Sequence, residues 1–242
     1  MAEFLAVALS AAVGGFVQSV TGFGAAVVMM TVFPRYFGMT VAPSVSTGVC
    51  LGLSLALAVR FRRHLKLRLI LLPTALYTVS SLLAIRWIGA MDLRRLTVAF
   101  GIFLILLGGW LLLPRRGREF RVTLPFTIGC SLLAGVCGGL FSISGPIMAV
   151  YFLAAPEGRE EYLGNMQTHF AFNNAMSLAA RTANGYFGWG LLPVTLLGIG
   201  GMVLGQKLGL RVGGKLNAGQ LRKAVYGYVL LSGIVTVVRN LG

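Results

Sequence analysis

Ten apolar runs leave this chain few ways to fold. They fall near residues 3–17, 24–34, 40–59, 67–89, 95–113, 124–140, 146–155, 163–184, 189–206 and 221–238. A helix needs about 20 apolar residues to cross a bilayer, so the runs at 24–34 and 146–155 are too short to span alone. Each follows a stretch where glycines and polar residues interrupt the apolar sequence. Residues 14–24 read GGFVQSVTGFG, and residues 138–146 read GGLFSISGP. Each short run is therefore the second arm of a broken element, made of a helix, a polar break and a half-helix.

Only 11% of the residues are charged and 57% are hydrophobic, whereas soluble domains average about 25% charged residues. This is the balance of an all-α polytopic membrane protein, with a single membrane domain over residues 1–242 and no separate soluble part. The net charge of +15 comes from 21 Lys and Arg against 6 Asp and Glu. In a soluble chain that excess would point to nucleic acid. Here the basic residues lie between apolar runs, which is the positive-inside pattern and suits anionic headgroups. The bilayer is the expected partner, and nucleic acid is not. Cys50, Cys130 and Cys137 lie in apolar runs without metal-site spacing and read as small packing residues. The first residues carry Glu3 and no Lys or Arg, so they read as a retained membrane segment rather than a secretory signal.

The two halves resemble each other. Thr21-Gly22 matches Ser144-Gly145 at an offset of 123, and residues 46–48 (STG) face residues 167–169 (QTH) at 121. Arg60 then matches Arg181, Pro73 matches Pro193 at 120, and Phe100-Gly101 matches Tyr226-Gly227 at 126. These matches run in one order at nearly one offset. They imply a duplication, with a first repeat at 1–113, a basic linker at 114–123 and a second repeat at 124–242. If each broken element is re-entrant, each repeat has one hairpin and three full spans. An odd number of spans inverts the second repeat relative to the first. With the N-terminus outside, the loops 60–68, 114–121 and 207–223, carrying five, four and five Lys or Arg, all face the cytoplasm. The one discordant segment is PEGREE at 156–161, which is net negative yet placed inside.

Broken helices at membrane depth persist only where protein buries them or a wet cavity meets them. The N-terminus of a half-helix presents free N–H groups and a partial positive charge, which suits an anion. One half-helix is expected to begin near Thr21-Gly22 and the other near Ser144-Gly145, the two N-termini meeting near the midplane. Gln18, Thr21, Ser142 and Ser144 supply amide and hydroxyl donors, and Gly22 and Gly145 allow close approach. The Ser and Thr hydroxyls can equally serve as caps. The run at 165–181 is the most polar span. In it His169 and Asn173 share a helix face, and Asn174 follows. These three are candidates to line the cavity, or they join helices by hydrogen bonds. Arg181 lies near a span end, where it can snorkel or balance a bound anion. Glycines in residues 46–52 and 198–209 have small-xxx-small spacing, which signals close helix packing.

No HExxH, GxSxG or Walker motif occurs, and all six acids lie at the N-terminus or in expected loops. This argues against an enzyme, and no cofactor is expected. It also leaves no buried carboxylate for a proton relay, so proton coupling would involve His169 or the substrate itself. A single Na⁺ could instead use hydroxyls and exposed carbonyls.

Taken together, GGFVQSVTGFGAAVV and GGLFSISGPIMAVYFL, one in each half, resemble the paired signatures of the sulfite exporter TauE/SafE family, also called the TSUP permeases. The similarity runs through nearly the whole chain. The resemblance implies a secondary transporter in the cytoplasmic membrane of a prokaryote, moving sulfite, sulfonates or related organic anions without ATP. A channel-like anion pore and a membrane subunit without transport activity are the alternatives.

Overall fold

The computed structural model describes residues 2–21, 23–113, 123–154, 158–212 and 218–241. Ten α-helices follow one another among them: α1 (Ala2–Thr21), α2 (Ala25–Val32), α3 (Pro34–Arg60), α4 (Leu67–Ile88), α5 (Leu93–Leu112), α6 (Leu124–Phe141), α7 (Gly145–Ala154), α8 (Arg159–Ala183), α9 (Leu192–Val212) and α10 (Ala218–Leu241). Each apolar run of the sequence falls mainly in one helix, and α2 and α7 are the two expected half-helices. Most of the basic linker, residues 114–122, lies outside the described residues, as do 155–157 and 213–217.

Among the described residues, five helical stretches are long and apolar enough to cross a bilayer: Pro34–Arg60, Leu67–Ile88, Leu93–Leu112, Leu124–Phe141 and Trp189–Gly209. The apolar parts of α1 and α10 are shorter, Glu3–Ser19 and Val225–Asn240. α8 has the length but carries Asn165, Gln167, His169, Asn173, Asn174 and Arg181. The outward faces expose large aliphatic side chains, among them Leu5, Leu9, Leu71, Val79, Leu83, Leu106, Leu204 and Leu231. Apolar surface on this scale belongs in lipid. The chain is a multi-pass membrane protein.

Small residues set how the helices meet. α1 packs on α9, α6 on α4, α3 on α8 and α5 on α10. Gly201, Gly205 and Gly209 of α9 lie against the backbone carbonyls of Ala8, Ala12 and Phe16 in α1. Gly135 and Gly139 of α6 lie in the same way against the carbonyls of Tyr77 and Ser81 in α4. A β-carbon at any of these glycines would press on backbone, which cannot move aside as a side chain can. The glycine spacing in residues 198–209 is thus a packing device, as the sequence indicated. In both pairs the partner numbers rise together, so α1 runs parallel to α9 and α6 parallel to α4.

The acidic segment finds its place through charge. Lys66 Nζ lies 2.8 Å from Glu161 Oε2, and His64 Nε2 lies 3.2 Å from Glu160 Oε2. The Lys66 backbone N–H also donates to Asn165 Oδ1 at 2.8 Å. The start of α8 therefore sits at the same end of the bundle as the basic loop between α3 and α4.

Candidate functional site

The two breaks turn differently. Between α1 and α2 the chain turns at Gly24, whose φ of 108° is a left-handed conformation that glycine adopts freely. α1 continues through Thr21, so α2 begins at Ala25 and not near Thr21-Gly22. The sequence reading placed this start too early because the left-handed turn falls on the later glycine. Between α6 and α7 the turn falls on Ser142, with φ 58°, the one non-glycine residue with positive φ among those described. α7 begins at Gly145, as expected, with the Ser144 carbonyl accepting from Ile147 and Met148 at 3.1 and 3.0 Å. The starts of α2 and α7 are 145 − 25 = 120 residues apart, the separation of Pro73 and Pro193.

The breaks touch. A β-carbon placed on Gly145 would lie 3.4 Å from Phe23 Cβ and 3.9 Å from the Gly24 nitrogen. The N-termini of α2 and α7 therefore adjoin, and the first N–H groups of any helix lack intrahelical partners. Gln18 is half-buried in the last turn of α1. Gly22 and the side chain of Thr21, both site candidates, lie outside the described residues.

Around the second break the hydroxyls are already engaged. Ser142 Oγ lies 3.0 Å from Thr47 Oγ1 on α3, and Thr47 donates its own proton to the Pro43 carbonyl at 2.7 Å. Ser142 is therefore the donor of that pair. Ser144 is buried, and a β-carbon on Gly138 would lie 3.4 Å from Ser144 Cβ and press on the Tyr77 hydroxyl of α4. The Tyr77 ring packs edge-on against His169, with centroids 5.1 Å apart.

A ladder of hydrogen bonds joins α4 to α8. Thr74 Oγ1 meets His169 Nδ1 at 2.8 Å, Thr78 Oγ1 donates to Asn173 Oδ1 at 2.7 Å, and Ser81 Oγ meets Ser177 Oγ at 3.1 Å. Asn173 Nδ2 also donates to the His169 carbonyl at 2.9 Å. The two helices therefore run parallel. Asn174 turns to α3, where its Nδ2 lies 3.4 Å from Ser54 Oγ. His169 reaches the second break's half-helix through Tyr77 and through Phe152 of α7, whose ring centroid lies 5.4 Å from its own.

The sulfite exporter TauE/SafE family model matches residues 7–236 of the 242. The chain belongs to the TauE/SafE family. No curated protein and no solved structure matches it. The matched region spans both breaks and the polar helix α8. The family is described as one of sulfite exporters.

The described acids of this TauE/SafE protein stand away from the breaks. Glu3, Asp92 and Glu160 are exposed, Asp92 caps α5, and Glu161 pairs with Lys66. Sequence reasoning missed Thr47, Tyr77 and the α4 side of the ladder. The spacing of Thr74, Thr78 and Ser81, and of His169, Asn173, Ser177 and Arg181, was the available signal. It marks one face on each helix but not that the two faces meet.

Proposed function

We propose that this protein is a secondary transporter carrying a small sulfur-containing or organic anion, such as sulfite or a sulfonate, by alternating access at the paired breaks. The observation that carries the proposal is the contact of Gly145 with Phe23 and Gly24, which brings two half-helix N-termini to one place. An anion there has lost water, and backbone N–H groups replace it. Gln18, Ser144 and, beyond the described residues, Thr21 and Gly22 complete the proposed contact set. Ser142, His169, Asn173 and Asn174 support it from behind. A proton or Na⁺ is the proposed coupling ion.

The inverted repeat is part of the same reading. Exchanging α1 to α5 with α6 to α10 turns the α1–α9 pair into α6–α4, and α3–α9 into α8–α4, while α3–α8 and α5–α10 map onto themselves. This exchange supports two halves related by a two-fold axis. The ion pairs of Glu160 and Glu161 support placing the start of α8 beside the basic loop, on the cytoplasmic side of a prokaryotic inner membrane.

The test is uptake into proteoliposomes of sulfite, sulfonates and carboxylates, with and without ion gradients. Saturable uptake is expected, competed by anions and not by organic cations. Gly145→Val should abolish it while the protein still elutes as a folded species, because a branched side chain fills the space against Phe23. Anion conductance without saturation would replace the carrier by a pore.

A further inference from the structure

Arg181 is fully buried, at 0% exposure, the largest side chain so enclosed among the described residues. Near the end of α8 a long cationic side chain could have snorkelled to water; it turns inward instead. Its Nη2 donates to the Gly139 carbonyl and lies 3.5 Å from the Gly138 carbonyl. Nε and Nη1 have no partner. The two carbonyls belong to the last turn of α6, whose partial negative charge offsets the guanidinium in part. No described carboxylate pairs with it. The described ion pairs join Glu160 to His64 and Glu161 to Lys66, at the far end of α8.

A buried guanidinium with neither a carboxylate nor a full set of acceptors is strongly unfavourable. It persists where something outside the chain completes it. The second break is the adjoining place. Gly138 accepts from Arg181, and a β-carbon on Gly138 would lie 3.4 Å from Ser144 Cβ. The same β-carbon would press on the Tyr77 hydroxyl, so Tyr77, Ser144 and a carbonyl that Arg181 approaches meet around Gly138. Arg181 and the hydroxyl ahead of α7 thus flank one glycine and one tyrosine.

We propose that Arg181 supplies the fixed positive charge of the anion site, its unpartnered N–H groups taking an oxyanion of the sulfite, sulfonate or carboxylate type at the second break. This rests on the anion-transport reading and names the residue that neutralises the cargo. Its counterpart in the first half, Arg60, is exposed and stacks over Phe61, with 5.7 Å from Cζ to the ring centroid. The fixed charge therefore comes from one half only.

The experiment is thermal unfolding of the purified full-length protein in detergent, titrated with sulfite, methanesulfonate, acetate and, as a control, choline. The wild type should be stabilised by the anions and not by choline. Arg181→Gln should unfold at or above the wild-type temperature without anion, since it removes an uncompensated charge. Its apparent Kd for sulfite should rise by at least about tenfold, the equivalent of about 1.4 kcal/mol. Arg181→Lys keeps the charge and should hold the rise below about tenfold; it decides the matter if the Gln variant does not accumulate. An unchanged anion response in a stable Arg181→Gln, or a lost response in a stable Arg181→Lys, overturns the inference. A lowered unfolding temperature with the anion response intact would make Arg181 a clasp for the end of α6, which also overturns it. A wild type indifferent to every anion would instead fail the transport reading itself.

Discussion

Two seams of the molecule, α4 with α8 and α3 with α9, exchange places under the proposed two-fold axis, yet they are built from different chemistry. The first is closed by hydrogen bonds: Thr74 to His169, Thr78 to Asn173, Ser81 to Ser177. The second is closed by shape. A β-carbon on Gly48 would lie 2.8 Å from Thr195 Cγ2, one on Gly52 would lie 3.0 Å from Ile199 Cδ1, and one on Gly198 would lie 2.6 Å from Val49 Cγ2. His169 and Gly48 stand 169 − 48 = 121 residues apart, as do Asn173 and Gly52. One seam has imidazole and carboxamide where the other has two hydrogens. Packing alone therefore does not demand polarity at these positions, since α3 and α9 meet without it. The polar seam lies on the helix that carries Arg181, and it fixes the height and rotation of α8 where close packing would fix only its distance.

The largest effect should come from filling the glycine seam. Gly48→Val pushes a branched side chain into Thr195, and overpacking of this kind costs about 1–3 kcal/mol. A clear drop in unfolding temperature, with loss of the monodisperse species on size exclusion, is expected. Wild-type stability would show that α3 and α9 do not depend on close approach.

Breaking the ladder should cost less. Asn173→Leu removes the carboxamide but leaves Thr78 its second acceptor, the Thr74 carbonyl at 2.7 Å. Hydrogen bonds between membrane helices average about 0.6 kcal/mol and reach about 1.7 kcal/mol, so a loss of about 1 kcal/mol is expected. Anion-induced stabilisation should remain. If stability held and the anion response vanished, the carboxamide would belong to the binding site and the ladder would be incidental.

The smallest effect separates the ladder's ends. Ser177→Ala deletes one hydroxyl from the Ser81 pair and should lower stability by about 0.6 kcal/mol, the average for such a bond. A larger loss would show that this rung, one turn before Arg181, steers the guanidinium. Reversible unfolding in denaturant measures it.

Much of this was legible in the chain because glycine and proline punctuate it. The breaks at 14–24 and 138–146 announced α2 and α7, and the short apolar runs after them fixed their length. The start of α2 was misplaced because three residues of the break, Thr21, Gly22 and Gly24, could each have opened a half-helix. The burial of Arg181 was not legible. An arginine two residues before the end of a helix can snorkel or balance a bound anion, and the sequence does not decide between them until the α6 carbonyls that receive it are known. Thr47 and Tyr77 were equally hidden, since each is one of several hydroxyls on its helix and nothing in the sequence singles out the one that faces the second break. Periodicity shows which face of a helix is special. It does not show which other face comes to meet it.

The glycine contacts of α1 with α9 and of α6 with α4 bear on what can move. Each helix that leads into a break is pressed, backbone to backbone, against a helix of the opposite half. The two halves of the sequence are therefore not the two halves of the machine. A lever needs a fulcrum between parts that slide, and backbones held this close do not slide. Under the proposed alternating access, α1 would travel with α9, and α6 with α4, so the joints would lie where these crossed pairs meet the rest of the bundle. The tightest joints thus run across the sequence rather than along it: α1 with α9 and α6 with α4 each tie residues before 113 to residues after 123, and each carries the arm of one break.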